Sequence, residues 1–369
     1  MNKKHLTIIV VIATIESLTH FGVIAADSPH FFRATEYFLG WREDLPSVGA
    51  VRPLLPFLTT TLAPLIGISI SYAVINAILY PISGIICYKL TQRLTKNPLV
   101  SLISSVMFLT SVAMIAFGAS AYYMGLTIFS EFLVALLALD VWRSRLSALF
   151  RGIISGILAL SGEATLPYIL FGGILALQRR KYNEAMTYLV FSALPPLLVP
   201  TLLGCNILQF YLKLNIGYAK SIGYLDPAHW FDPFTRIKFL AAGTSLLMLA
   251  GLIIGFLVDE NGDRAKIFYI MFGLTFLAWL TWVPSERRHV YIFYPSISWM
   301  SGVGVCWLCE TLNQKPILSK LSFKQWLIIL LALNALLSNF LAAQWYVGGY
   351  LHPLGPIPGL SLPPFWNKR

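Results

Sequence analysis

Long apolar runs separated by short polar breaks fill the chain from end to end. Runs of near-bilayer length, on the order of 20 residues, predict membrane-crossing helices. They fall at about 6–26, 55–88, 98–118, 124–142, 150–163, 165–178, 185–205, 238–258, 266–284, 290–310 and 325–345. The expected architecture is an all-α polytopic membrane protein with about eleven transmembrane helices. It occupies residues 1–345 and is followed by a Gly- and Pro-rich outer tail over 346–369. The second run carries Pro53, Pro56, Pro64 and Pro81, so its first part is expected to be a re-entrant or interfacial piece rather than one straight helix. Spans five and six are short and meet at Ser161-Gly162-Glu163, which predicts a carboxylate at the membrane surface.

Composition narrows the class. Of 369 residues, 57% are hydrophobic and 12% charged, against roughly 25% charged in an average soluble domain, which excludes a water-soluble fold. The net charge of +11 does not indicate nucleic-acid binding, because the cations sit in small clusters between apolar runs and form no continuous stripe. The four cysteines (Cys87, Cys205, Cys306 and Cys309) are too few and too embedded for a disulfide framework, and no Cys/His set has zinc spacing.

Those clusters alternate. With Lys3 and Lys4 inside, cytoplasmic breaks hold Lys89/Arg93/Lys96, Arg143/Arg145/Arg151, Arg179/Arg180/Lys181, Arg264/Lys266 and Lys315/Lys320/Lys324, whereas the short outer turns 119–123 and 161–164 hold no cation. Outer cations gather in a first outer loop of about 27–54, a third outer region of about 206–237, the 284–289 segment and the tail. An alternative for the N-terminus is a cleaved secretory signal ending near Ala25-Ala26. Glu16 and His20, one turn apart, argue instead for a retained helix packed inside the bundle.

The first outer loop is richest in chemistry. Asp27 stands where the first span leaves the membrane, and a carboxylate at an apolar boundary suits a general base or a metal ligand. Phe31, Phe32, Phe38 and Trp41 alternate with charges around Glu36 and Tyr37, which predicts interfacial helices. Downstream, Arg287 and Arg288 form an outer guanidinium pair beside His289 and Tyr291. This pair is suited to bidentate phosphate binding, although the side chains could equally snorkel to lipid headgroups. Aromatic and polar residues of the third outer region, Tyr211 and His229 among them, suit sugar recognition. Polar residues inside spans are limited to Glu16, His20, Asn76, Glu131, Asn334 and Asn339. They form no ladder for an ion route, and matched broken helices are missing, so an enzyme is favoured over a carrier.

This pattern resembles the GT-C superfamily of integral-membrane glycosyltransferases, which includes protein O-mannosyltransferases, aminoarabinose transferases and oligosaccharyltransferase catalytic subunits. Asp27 matches the acidic position after the first helix. Ala34, Tyr37 and Gly40 fit the spacing of the outer loop, and Arg52-Pro53-Leu54-Leu55-Pro56 is similar to the family's Arg-Pro run leading into the second helix. Glu163 resembles the charged residue at a middle outer turn. Arg288, ahead of Tyr294-Pro295, resembles a late phosphate-binding Arg. Two departures stand out: Asp27-Ser28 replaces the Asp-Glu of O-mannosyltransferases, and no WWDYG-like motif or soluble C-terminal domain is present, which argues against oligosaccharyl transfer to Asn.

The resemblance implies an inverting glycosyltransferase moving a hexose or pentose, mannose-like favoured, from a polyprenyl-phosphate donor to a glycolipid, glycan or peptide hydroxyl on the extracytoplasmic face. The implied location is the plasma membrane, or the ER with a lumenal site in a eukaryote. Asp27 would be the catalytic base and Arg288, Arg287 and Arg52 the donor-phosphate ligands. Glu36, Tyr37, Glu163, His289 and Tyr291 would contact sugar or acceptor. No cofactor is expected. A divalent metal would require Asp27, Glu43, Asp44 and Glu163 to converge. The alternatives are a lipid-linked-sugar flippase or transporter, and a non-catalytic scaffold subunit.

Overall fold

A computed structural model describes residues 2–19, 21–25, 27–213, 240, 243–258, 263–281, 287–314, 321–347 and 351–352, with 263, 280–281, 287–288, 344–347 and 351–352 described by backbone alone. Its helices in chain order are α1 (Lys3–Thr19), α2 (Ser28–Phe38), α3 (Ser47–Val51), α4 (Leu54–Thr59), α5 (Ala63–Ile66) and α6 (Ile68–Thr95). They continue with α7 (Pro98–Leu109), α8 (Val112–Phe117), α9 (Met124–Ala138), α10 (Arg145–Ala159), α11 (Leu166–Gln178) and α12 (Tyr182–Leu202). Further helices cover Leu246–Val258, Asp263–Thr281, Tyr294–Gln314 and Phe323–Val347.

Each predicted apolar run contains a helix, but the set is not uniform. Among the described residues five helices are long and apolar enough to cross a membrane: Ile68–Thr95, Met124–Arg143, Tyr182–Leu202, His289–Gln314 and Phe323–Ala343. Others are shorter, and the expected 98–118 span is broken between α7 and α8. That break is satisfied by distant partners. Asn334 Nδ2 donates to the Thr110 carbonyl at 3.5 Å as well as to its Oγ1 at 3.0 Å, and Val112 N donates to the Thr244 carbonyl at 2.8 Å, as a non-aqueous surrounding requires of freed backbone groups. Ahead of α6, the proline-rich stretch forms the short α4 and α5. Gly67 then turns the chain at φ +84°, a conformation that favours glycine.

The all-α expectation has one small exception. Ile24–Ala25 (β1) pairs antiparallel with Leu351–His352 (β2), tying the exit of α1 to the otherwise undescribed 346–369 tail. Glu16, in the last turns of α1, accepts from Asn339 Nδ2 at 3.3 Å. Its predicted companion His20 lies outside the described residues. An apolar groove of about 430 Å³ separates α1, α7 and the Phe323–Val347 helix, lined by Ile12, Ile103, Leu327 and Leu331.

Three antiparallel helices, α9 to α11, run between two polar ends. α9 starts after Tyr123 and ends at Asp140. α10 starts at the Ser144 cap, whose side chain accepts from Ser147 N at 3.1 Å. α10 then returns to the 161–163 turn, and α11 runs back to Arg179. Fifteen residues of α10 separate the ends by about 22 Å at 1.5 Å per residue.

At the first of these ends the turn before α9 is fixed by Asn76 of α6. Its amide donates to the carbonyls of Ser120 at 2.7 Å and Tyr122 at 2.6 Å. Ala121 N bonds the Val23 carbonyl at 2.7 Å, so the chain leaving α1 and the chain entering α9 share one support. Substituting Asn76 with Leu keeps the bulk but strands two buried carbonyls, and is expected to cost about 1–3 kcal/mol, read as a lowered thermal midpoint of the purified protein.

Candidate functional site

The site is built where three segments distant in sequence meet. Arg52 caps α3, and its Nε donates to Glu163 Oε2 at 2.9 Å, with a second bond from Nη2 to Oε1 across 111 positions. The two N–H groups of the planar guanidinium match the two carboxylate oxygens, the fork geometry that makes Arg–carboxylate pairs directional. The side chains are 10% and 19% exposed, so the pair is shielded far more than a surface ion pair. Burial works to lower the Arg52 pKa, but the Glu163 carboxylate together with Tyr123 and Tyr211 outweighs it and holds the guanidinium above its ordinary value. The opposite face of Arg52 lies over the Tyr123 ring, 4.6 Å from its centroid, a cation–π contact.

Glu163 has its place because Gly162 breaks α10 from α11 and a short 3-10 turn, Glu163–Thr165, begins there. Tyr211 donates to Glu163 Oε2 at 3.4 Å. Burial first, and then the Glu163 charge, push the Tyr211 phenol above its ordinary value, so it stays a donor at neutral pH.

Beside this pair is a cavity of about 260 Å³, lined by the polar Glu163, Tyr211, His289 and Tyr291 and by the apolar Leu166, Trp279 and Ile292 among others. The volume is close to the lower bound of small-ligand sites, about 300 Å³. Its mixed walls suit a ligand with a polar head and a hydrocarbon stem.

Asp27 stands at the start of α2, half-buried, and Oδ2 accepts from the Tyr122 hydroxyl at 3.3 Å. Tyr122 packs against Tyr123 with ring centroids 4.5 Å apart, and Phe31 of α2 stacks on Tyr123 at 4.8 Å. Asp27 and Arg52 therefore flank one tyrosine pair, the first touching Tyr122 and the second Tyr123.

The residues singled out from sequence divide accordingly. Glu163, His289 and Tyr291 line one cavity, Arg52 is bonded to its rim, and Asp27 lies beyond the tyrosine pair. Glu36 is ion-paired with Arg42, which also pairs Asp44. Tyr37 packs edge-on against Phe38. The side chains of Arg287 and Arg288, most of the 206–237 region and most of the 346–369 tail lie outside the described residues. Of the four acids that a divalent metal would require, Asp27 accepts from Tyr122, Asp44 is ion-paired with Arg42 and Glu163 with Arg52. Among the described residues no group of three or more His, Cys, Asp or Glu side chains could hold a metal ion. Tyr122 and Tyr123, central to the geometry, lie in a short uncharged turn that carries no pattern signal in the sequence.

No protein-family profile and no curated protein matches the chain. Solved structures do. The apo oligosaccharyltransferase of Archaeoglobus fulgidus aligns with a TM-score of 0.58 at 12% identity, covering 93% of this chain and 56% of that one. The oligosaccharyltransferase AglB of the same organism, in complex with an inhibitory peptide and a dolichol-phosphate, aligns with a TM-score of 0.56 at 12% identity and the same coverage. The chain spans little more than half the length of these neighbours. At this identity the likeness is one of fold alone: the chain shares the fold of the aligned part of these archaeal oligosaccharyltransferases.

Proposed function

We propose that the protein is a membrane glycosyltransferase that uses a polyprenyl-phosphate sugar. The observation that carries this reading is the cavity beside Arg52 and Glu163, whose lining combines the polar Glu163, Tyr211 and His289 with the apolar Leu166, Trp279 and Ile292. Such a site suits a sugar phosphate on a hydrocarbon tail. The dolichol-phosphate bound to the structurally similar AglB supports the same donor class.

In the proposed reaction the acceptor hydroxyl oxygen forms a bond to sugar C1 as the bond from C1 to the phosphate oxygen breaks, inverting the anomeric centre. The hydroxyl proton passes to the Asp27 carboxylate, and the electron pair leaves on polyprenyl phosphate. Arg288 and Arg287 take the developing phosphate charge, since preorganised cations act most where charge grows. Arg52 contributes charge on the same face while holding Glu163, which, with His289, Tyr291 and, further out, Glu36 and Tyr37, orients sugar or acceptor hydroxyls. A mannose-like hexose delivered to a glycolipid, glycan or peptide hydroxyl on the extracytoplasmic face is the preferred form of the reaction. No step is routed through a metal.

The competing reading is a flippase for lipid-linked sugar. A synthetic polyprenyl-phosphate hexose, offered to the purified protein in a transfer assay and in a vesicle translocation assay, separates the two. Transfer without translocation is expected, and translocation without transfer would replace the proposal. Within the transfer assay, Asp27→Asn keeps shape and removes basicity, and is expected to lower turnover by about 10²-fold or more with an unchanged thermal midpoint. Full activity in that variant would remove Asp27 from the mechanism. Arg288→Gln is expected to raise the donor KM more than it lowers turnover.

The ion pair makes a separate prediction. Glu163→Gln leaves Arg52 shielded without its counter-charge and is expected to destabilise by about 3 kcal/mol. The double variant Arg52→Met/Glu163→Met regains most of that stability while transfer stays impaired. Thermal unfolding and the transfer assay, run on the three proteins, report the two effects separately.

A further inference from the structure

The end of the bundle opposite the candidate site concentrates charge in the reverse sense. Asp140, just past the end of α9, is 12% exposed and is ion-paired with three guanidinium groups on three different elements. Arg93, in the last turn of α6, bonds Oδ2. Arg143 Nε meets Oδ1 at 2.9 Å, and Arg151 Nη2 of α10 lies 3.7 Å from Oδ2. A fourth, Arg179 at the end of α11, lies 3.9 Å over the Trp142 ring. Trp142 itself is fixed by its indole N–H, which donates to the Leu139 carbonyl at 2.9 Å.

One carboxylate cannot neutralise this group. Among the described residues no second Asp or Glu pairs with any of the four arginines, so several positive charges remain uncompensated within a few ångströms. Arg151 is spoken for, since its Nε donates to Ser147 Oγ at 2.8 Å and its Nη1 to the Leu137 carbonyl at 3.1 Å. Arg93 and Arg143 are 45% and 52% exposed and keep N–H groups turned outward. Guanidinium forks of this kind match phosphate oxygens in pairs.

Two features indicate a lipid rather than a soluble anion. The cluster sits at the ends of helices long and apolar enough to cross a membrane, α6 and Met124–Arg143. Leu146 and Phe150, one turn apart in the start of α10, are exposed apolar side chains lying in sequence between Arg143 and Arg151. A phosphate above and an acyl chain alongside would satisfy both. Trp142 supplies the amphipathic ring common at the headgroup level.

We propose that Arg93, Arg143 and Arg179, organised around Asp140 and Trp142, bind the phosphate of an anionic phospholipid headgroup at the membrane surface opposite the candidate site. The test uses the full chain in neutral detergent, titrated with phosphatidylglycerol, phosphatidylcholine or inorganic phosphate, with the thermal midpoint as readout. Phosphatidylglycerol is expected to raise the midpoint and phosphatidylcholine to leave it unchanged. Arg93→Gln/Arg143→Gln is expected to weaken the phosphatidylglycerol response by about tenfold. Arg151 remains to neutralise Asp140 in that variant. If it proves unstable, the more exposed Arg143→Gln alone carries the test. Lys3→Gln/Lys4→Gln removes equal charge near the start of α1, where His5 meets Tyr88 of α6 at 3.2 Å, and is expected to change nothing. Equal weakening in both double variants, no weakening in the first, or a full response to inorganic phosphate would each overturn the proposal.

Discussion

The structure turns on keeping a carboxylate and a guanidinium charged at the edge of an apolar bundle. Neither Arg52 nor Glu163 could sit at such low exposure alone, because an unpaired ion taken out of water costs several kcal/mol. Together they hold the loop of about 27–54 against the turn between α10 and α11. That single contact borders the cavity, fixes Arg52 over Tyr123 and brings Tyr211 within reach of the same carboxylate. A ligand bound there meets charge that has already been desolvated and oriented.

The same economy governs the rest of the molecule. Three amides within the apolar helices are spent on buried acceptors: Asn76 on carbonyls of the turn before α9, Asn334 on Thr110 at the break after α7, Asn339 on the Glu16 carboxylate. Three helices, α9 to α11, connect an end where Arg52 and Glu163 balance to an end where arginines outnumber Asp140. A bundle with such unlike ends would present different chemistry to the two faces of a bilayer.

Much of this was legible in sequence because apolar length is a coarse signal that survives without tertiary information. Every apolar run of near-bilayer length contains a helix, and the Ser161-Gly162-Glu163 turn is where Gly162 predicts it. The break at Thr110–Ser111 was not legible, since neither residue is Pro or Gly and its cause, Asn334, lies over two hundred positions away. The pairing of β1 with β2 likewise depends on a long-range contact that leaves no local pattern. Of the site, single charged residues could be read, but their partners could not. Arg52 reads as a free cation until Glu163 is found against it, and Glu36 reads as a sugar ligand until Arg42 is found beside it. The Tyr122–Tyr123 pair that separates Asp27 from Arg52 has no sequence signature at all.

The central claim is that a polyprenyl-phosphate sugar occupies the cavity beside Arg52 and Glu163. Photocrosslinking with a polyprenyl-phosphate sugar carrying a diazirine on its first isoprene unit, followed by peptide mapping, tests this most directly. Labels on Leu166, Trp279 or Ile292, competed by unlabelled donor, are the predicted result. Labelling confined to the apolar groove among Ile12, Ile103, Leu327 and Leu331 would contradict it.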